Sequence, residues 1–311
     1  MFLVRKWITV FKCTSNVAQR KGENRRISGY VYPSFMDVLK RERHIIKMKI
    51  QIFKYKSPHP IIHEIRLIQS DCDTDTLTHI VPPLGKPELL FFIGNENQIN
   101  NTNCKTGFIK GQYTSIQKID FIANYHFLSV SLYPYGLKQL FNVDASALVN
   151  TVIDMEAHPV IHSLSDLFRD IKEADVSIIE KLAQKISEFP MYPVSSVTKD
   201  FIKATEHRDT LHSVQDIAKE TGLGLRTLQR NFKRDVGLTA KDYLRIIRMN
   251  RIEQRLKYTS KVFELISDFD FTDQSHFIRE VKQWRNHAPN ELIKKKLLLS
   301  DQLPVPDLIH F

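Results

Sequence analysis

The chain has 311 residues, 42% of them hydrophobic and 26% charged, with a formal net charge of +10. That length suits two domains with a core in each, and no apolar run approaches the roughly 20 residues that a bilayer-spanning helix requires. Three scattered cysteines, Cys13, Cys72 and Cys104, argue against a disulfide framework or a paired-cysteine zinc site and suit a reducing compartment.

The opening MFLVRKWITVF is interrupted by Arg5 and Lys6 and lacks a small-residue cleavage site, so it does not read as a signal peptide and the expected location is cytoplasmic. Residues 1–47 carry eleven Lys/Arg against three acids and show no sustained period. They read as a disordered basic extension. One account is an arm that adds non-specific DNA affinity; the other is that translation starts at Met48 and the upstream stretch is an annotation artefact.

Residues 48–192 are expected to form a β-rich, sensor-like domain with helices at its end. The runs IQIFKY, IIHEIRLI, ELLFFIG and FLSVSLY are rich in β-branched and aromatic residues and are separated by turn residues such as Pro82-Pro83. Pro134-Tyr135-Gly136 leads into a helical LKQLF. An amphipathic stripe then runs from Leu164 through Ile186 to Phe189, which suits either a dimer seam in a homodimer or a face packed on the sheet. Pro190 and Pro193 end it, and residues 193–204 have linker chemistry.

Residues 205–297 carry the informative pattern, ahead of a tail at 298–311. In Ser213–Thr239, Ser213 and Asp216 make a capping-box pair, Ile217 and Ala218 face inward, and Gly222 supplies a left-handed turn. Leu223, Leu228 and Phe232 complete a core. The second helix then turns Arg226, Gln229, Arg230 and Lys233 outward at spacings of three and four, as a helix that presents donors to a major groove must.

The pattern recurs in Ser260–Pro289. Ile217, Gly222 and Leu223 match Leu265, Asp270 and Phe271, whereas Leu228, Arg230, Phe232 and Gly237 match Phe277, Arg279, Val281 and Asn286 one residue further along. One residue is therefore inserted in or just after the second turn. Between the units, Ala240, Tyr243, Leu244 and Ile247 lie on one helical face and Met249, Ile252 and Leu256 on another, so a connecting helix can pack on both. Trp284, Phe232 and Phe277 fall in register with the aliphatic set and read as core.

Residues 205–296 resemble the DNA-binding domain of AraC-type (AraC/XylS) transcription regulators, above all in FTDQSHFIREVKQW and the turn from Asn286 to Pro289. The resemblance implies two recognition helices in successive major-groove segments of one DNA duplex. It assigns Arg226, Gln229 and Arg230 to the first and Gln274, Ser275, Ile278 and Arg279 to the second. Gly224 stands where the family usually has a Ser or Thr cap, and Asp270 and Asn286 replace turn glycines. PPLGKPELLFFIG, the IKGQ stretch and SLYPYGLKQLFNV resemble a sensor domain of the same regulators, which implies a cupin-like barrel.

The expected fold is therefore α+β: a cupin-like N-terminal domain with appended helices, then an all-α domain of two helix-turn-helix units and a linker helix. The expected function is sequence-specific, double-stranded DNA binding under control of a small-molecule or protein effector, with RNA polymerase as the output. The alternative is a small-molecule enzyme or binding protein whose C-terminal helices dock a protein. No nucleotide-binding glycine pattern or nucleophile elbow is present. His59 with His63 and His158 with His162 have chelating spacing but no supporting ligands, so no metal, cofactor, catalytic residue or membrane partner is expected.

Overall fold

A computed structural model describes residues 8–9, 46–54, 59–72, 75–93, 97–99, 102–104, 107–122, 124–155, 164, 176–206, 213–256, 258, 262–269, 271–285, 287–294 and 307–310. The fold is α+β, an antiparallel N-terminal region followed by helices. The first sheet has the order β1 (Ile8–Thr9), β2 (Ile46–Lys54), β3 (Ile62–Cys72), β10 (His126–Leu132), β5 (Glu88–Phe92), β8 (Gly107–Lys110), β11 (Val152–Asp154). The second runs β4 (Thr76–Val81), β9 (Gln117–Ile122), β6 (Asn97–Ile99), β7 (Thr102–Cys104).

Strand alternation sorts the first sheet's side chains. From β10, Leu128, Val130 and Leu132 enter one core with α1 (Gly136–Phe141) and α2 (Val176–Glu188), through Leu137, Leu140, Ile179, Leu182 and Ile186. Phe127 points the other way. It joins Leu90, Phe92 and Phe108 against Ile119 and Phe121 of β9, so an apolar layer lies between the sheets. Coverage of both faces explains why β5 reads as a nearly unbroken apolar run and why even Ser129 and Ser131 of β10 are buried.

The C-terminal helices are α3 (Ser196–Glu206), α4 (Val214–Glu220), α5 (Leu225–Val236), α6 (Ala240–Leu256), α7 (Val262–Asp268), α8 (Gln274–Arg285) and α9 (Pro289–Lys294). They share one core that runs from Phe201 to Leu292. No described helix is long and apolar enough to cross a membrane.

Three sequence expectations need correction or restriction. The stretch read as linker, 193–204, is mostly α3, and its Phe201 and Ile202 are buried in the C-terminal core. The side chain of Asp235, fully buried in α5, accepts hydrogen bonds from the Ser195 amide (3.1 Å) and the Thr198 hydroxyl (2.9 Å), which fastens the start of α3. Pro190 and Pro193 thus end one helix and precede another. Ile8–Thr9, in the extension expected to be disordered, pair with Lys47–Met48, and Asp307–His310 of the tail form β12 parallel to β2. The remainder of 1–45, with 295–306, lies outside the described residues.

Of the histidine pairs, His158 and His162 also lie outside them. His59 is structural: its Nδ1 accepts from the amides of Ile61 (3.1 Å) and Ile62 (2.9 Å), and its Nε2 pairs with the Ser187 hydroxyl at 2.7 Å.

Candidate nucleic-acid interface

The first unit is assembled by local chemistry. Ser213 caps α4: its hydroxyl accepts from the Asp216 amide at 3.2 Å while the Asp216 carboxylate accepts from the Ser213 amide at 3.3 Å. This reciprocal box satisfies amides that a helix start leaves free. Gly222, with φ +68°, turns the chain, and the Leu223 amide donates to the Ala218 carbonyl at 2.8 Å.

The second unit repeats these bonds. The Phe271 amide donates to the Ile266 carbonyl at 3.0 Å, and the Phe269 amide to Leu265 at 3.2 Å, just as Thr221 donates to Ile217 at 3.0 Å. Past the turn, the Leu228 amide reaches Gly224 (2.9 Å) and the Phe277 amide reaches Asp273 (3.2 Å). Register changes between Phe271 and Asp273, so Thr272 is the inserted residue. Asp273 also caps α8 through the His276 amide at 2.7 Å, a bond that Gly224 has no side chain to make. Asp270 and Asn286 lie outside the described residues.

The cores match. Ile217 and Leu265, Leu228 and Phe277, Phe232 and Val281 are all buried. Truncation of a fully buried phenylalanine such as Phe232 costs about 3–5 kcal/mol. Phe201 and Tyr243 pack against the Phe232 ring, each with centroids 5.3 Å away. Helix α6 holds both units: Tyr243 and Leu244 serve the first, and Glu253 accepts from buried Arg285 of α8 at 3.1 and 3.2 Å. Arg245 of α6 adds bonds to Glu280 (3.0 Å) and Gln283 (2.9 Å). Its guanidinium also lies 6.0 Å from the Trp284 ring centroid.

Burial of that core sends the remaining side chains outward. Arg226, Gln229, Arg230 and Lys233 are exposed on α5, and Gln274, Ser275 and Arg279 are exposed on α8. The residues are thereby brought onto the open faces of the two corresponding helices. Ile278 is the exception: it is half-buried and packs against the shared core. Arg279 donates from Nε to the Ser275 carbonyl at 3.3 Å, so part of its guanidinium is engaged along its own helix. Sequence reasoning passed over Thr227 and Lys282, both exposed. Lys282 lies two turns from Ser275 and one turn from Arg279, a spacing that was available to find it.

The two faces differ in charge. On α5 the exposed side chains include Arg226, Arg230, Lys233 and Arg234, while the only acid, Asp235, is buried. On α8, Arg279 and Lys282 are accompanied by Glu280, which is held by Arg245. The first helix offers the denser attraction for a phosphate backbone.

Residues 217–295 match the family described as a helix-turn-helix domain. The chain is also 33% identical over 79 residues to the HTH-type transcriptional activator RhaS of Mannheimia succiniciproducens, a match that spans 25% of this chain and 30% of that relative. The C-terminal domain is an AraC-type helix-turn-helix domain. Ahead of this AraC-type domain, residues 59–154 match a domain of unknown function (DUF6597).

Among solved structures, the chain is similar to the C-terminal domain of AraT, a response regulator from Geobacillus stearothermophilus. That likeness has 17% identity and a TM-score of 0.30, and covers 33% of this chain and 88% of that one. It is also similar to ToxT from Vibrio cholerae, at 14% identity and a TM-score of 0.37 over 80% of this chain and 98% of that one. The chain spans less than a third of the length of the curated relative it matches.

Proposed function

We propose that the protein is a sequence-specific DNA-binding transcription regulator rather than an enzyme, and that it works in the cytoplasm where its duplex is accessible. One observation carries the reading: two helices with the same buried register present open faces of Arg, Gln and Lys from one rigid core. A solitary amphipathic helix with such a face is usually just solvated. Duplication on a shared linker helix is what a reader of two groove segments requires.

Arg226, Gln229 and Arg230 are the base-reading candidates, because Arg matches guanine O6/N7 and Gln matches adenine N6/N7 in bidentate fashion. Lys233, Gln274, Ser275 and Arg279 add phosphate and base contacts. Half-buried Ile278 contributes packing and at most a methyl contact. The N-terminal sheets are the seat of an effector or partner that controls binding, RNA polymerase is the output, and the stripe on α2 packs against the sheet rather than against a second copy.

Electrophoretic shift with duplex recovered by crosslinking tests this. Affinity is expected to fall about a thousandfold or more between 50 and 200 mM salt if some six phosphates are neutralised. Binding that ignores salt, or that survives Arg230→Ala unchanged, removes the reading.

A further inference from the structure

The inner face of the first sheet is apolar at one end and charged at the other. Glu64, Ser131, Glu88 and Lys110 stand opposite one another in a single row across β3, β10, β5 and β8. The inner part is self-contained. Glu88 takes the Lys110 ammonium at 2.5 Å and the Ser129 hydroxyl at 2.8 Å, and both charged residues are buried.

The outer part is not balanced. Glu64 pairs with Arg66, while Lys54 stands at 3.9 Å and His63 Nδ1 at 3.7 Å. Lys86, from the loop 82–87, sets its ammonium 2.8 Å from His63 Nε2. Burial together with Lys86 lowers the His63 pKa to about 4, so the imidazole is a neutral acceptor here. Among the described residues no carboxylate lies within 4 Å of the Lys86 ammonium. Lys54, Arg66, Lys86 and Lys110 thus face Glu64 and Glu88, with exposed Glu206 a third carboxylate that acts on Lys86 from beyond 4 Å, so four cations meet three carboxylates.

A second observation comes from Gln112, which is buried. Its Nε2 donates to the carbonyls of Gly85 (3.1 Å) and Pro134 (3.3 Å), and that fixes the amide with Oε1 unpartnered. An excess of partly buried cations and an unpaired buried acceptor are both costly unless something else completes them. The same loop meets the AraC-type domain. The Asn250 side chain donates to the Pro83 carbonyl at 3.0 Å, and a Cβ at Gly85 would stand 3.2 Å from the Tyr243 ring.

We propose that this end of the sheet binds a small organic acid, its carboxylate taken by Lys86 with Lys54 and Arg66 and a hydroxyl or amino hydrogen donated to Gln112. The proposal rests on the regulator reading and names the chemical class of its effector. The occupant neutralises the loop that touches α6, one residue from the contact with Tyr243.

Isothermal titration calorimetry of the full chain with sodium lactate, sodium malate and the neutral analogue lactamide tests it, with inorganic phosphate as a separate arm. At least one carboxylate is expected to bind, about tenfold or more tighter than lactamide, with the preference lost in Lys86→Met and kept in Lys86→Arg. Ligand-free Lys86→Met is expected to melt at a higher temperature than wild type, whereas a purely structural lysine would give a lower one. Equal binding of acid and amide, no binding of either carboxylate, unchanged binding by Lys86→Met, or phosphate tighter than both carboxylates overturns the proposal. Calorimetry contains no DNA, so this result and the gel-shift result fail independently.

Discussion

Gly237 lies directly against Ala145: a Cβ built on Gly237 would stand 2.6 Å from the Ala145 carbonyl oxygen. Ala145 opens the short 3-10 turn Ala145–Leu148, and Gly237 ends α5 with φ +91°. Helix α5 is thus seated on the N-terminal region at its C-terminal end, while Arg226, Gln229 and Arg230 remain on its open part. Gly237→Ala combines a left-handed backbone penalty with a steric one and is expected to cost about 2 kcal/mol or more. Urea denaturation measures this, and an unchanged midpoint would mean that the contact relaxes freely.

The two helix starts invite opposite substitutions. Asp273→Ala removes the bond to the His276 amide and is expected to destabilise by about 0.5–2 kcal/mol. Gly224→Ser has ordinary φ −67° and open space, with Thr227 the nearest neighbour at 3.8 Å, so it is expected to stabilise by a few tenths of a kcal/mol. Thermal melts of both variants check the pair; a stabilised Asp273→Ala would contradict the capping role.

Glu88 makes stability depend on acid. Burial alone would raise its pKa, but Lys110, Arg66 and hydrogen bonds from Lys110 and Ser129 outweigh that and bring it from 4.5 to about 2. A carboxylate lowered in the folded state stabilises fully above the unfolded value, and that contribution is lost as pH falls from 4.5 toward about 2. Chemical denaturation at stepped pH should show this loss in wild type. Glu88→Gln should be less stable at neutral pH, because Lys110 is left unpaired, and should show a flatter profile across that window.

On DNA, Arg230→Ala is expected to cost about 1–3 kcal/mol and to relax the sequence preference at one position. Lys233→Ala should weaken binding evenly across sequences and reduce the salt slope by about one. Competition shifts with mutated duplexes separate the two behaviours. The same sequence preference in Arg230→Ala as in wild type would reassign that side chain to the backbone.

Much of the C-terminal domain was legible because its determinants are local. Ser213 with Asp216, Gly222 in the turn and the periodic Leu228 and Phe232 are short-range signals, and a duplication doubles each of them. The half-burial of Ile278 was not legible, because a helical position on the border of the apolar stripe faces core or solvent according to how α8 is rotated against α6. The linker chemistry near Pro193 was equally ambiguous. A polar helix such as α3 reveals its buried side only when Phe201 finds Phe232 and Asp235 accepts from Thr198.

By itself, the sequence determined the class of fold, the strand-rich first region, helices α5 and α8 and, Ile278 apart, which of their side chains avoid the core, since periodicity and turn chemistry act over a few residues. Only the tertiary structure decided that the charges of Glu64, Arg66, Lys86, Glu88 and Lys110 gather at one end of the sheet and that the loop carrying Lys86 rests on α6. Pairing of strands distant in the chain sets those neighbours, and no local period encodes which strand lies beside which.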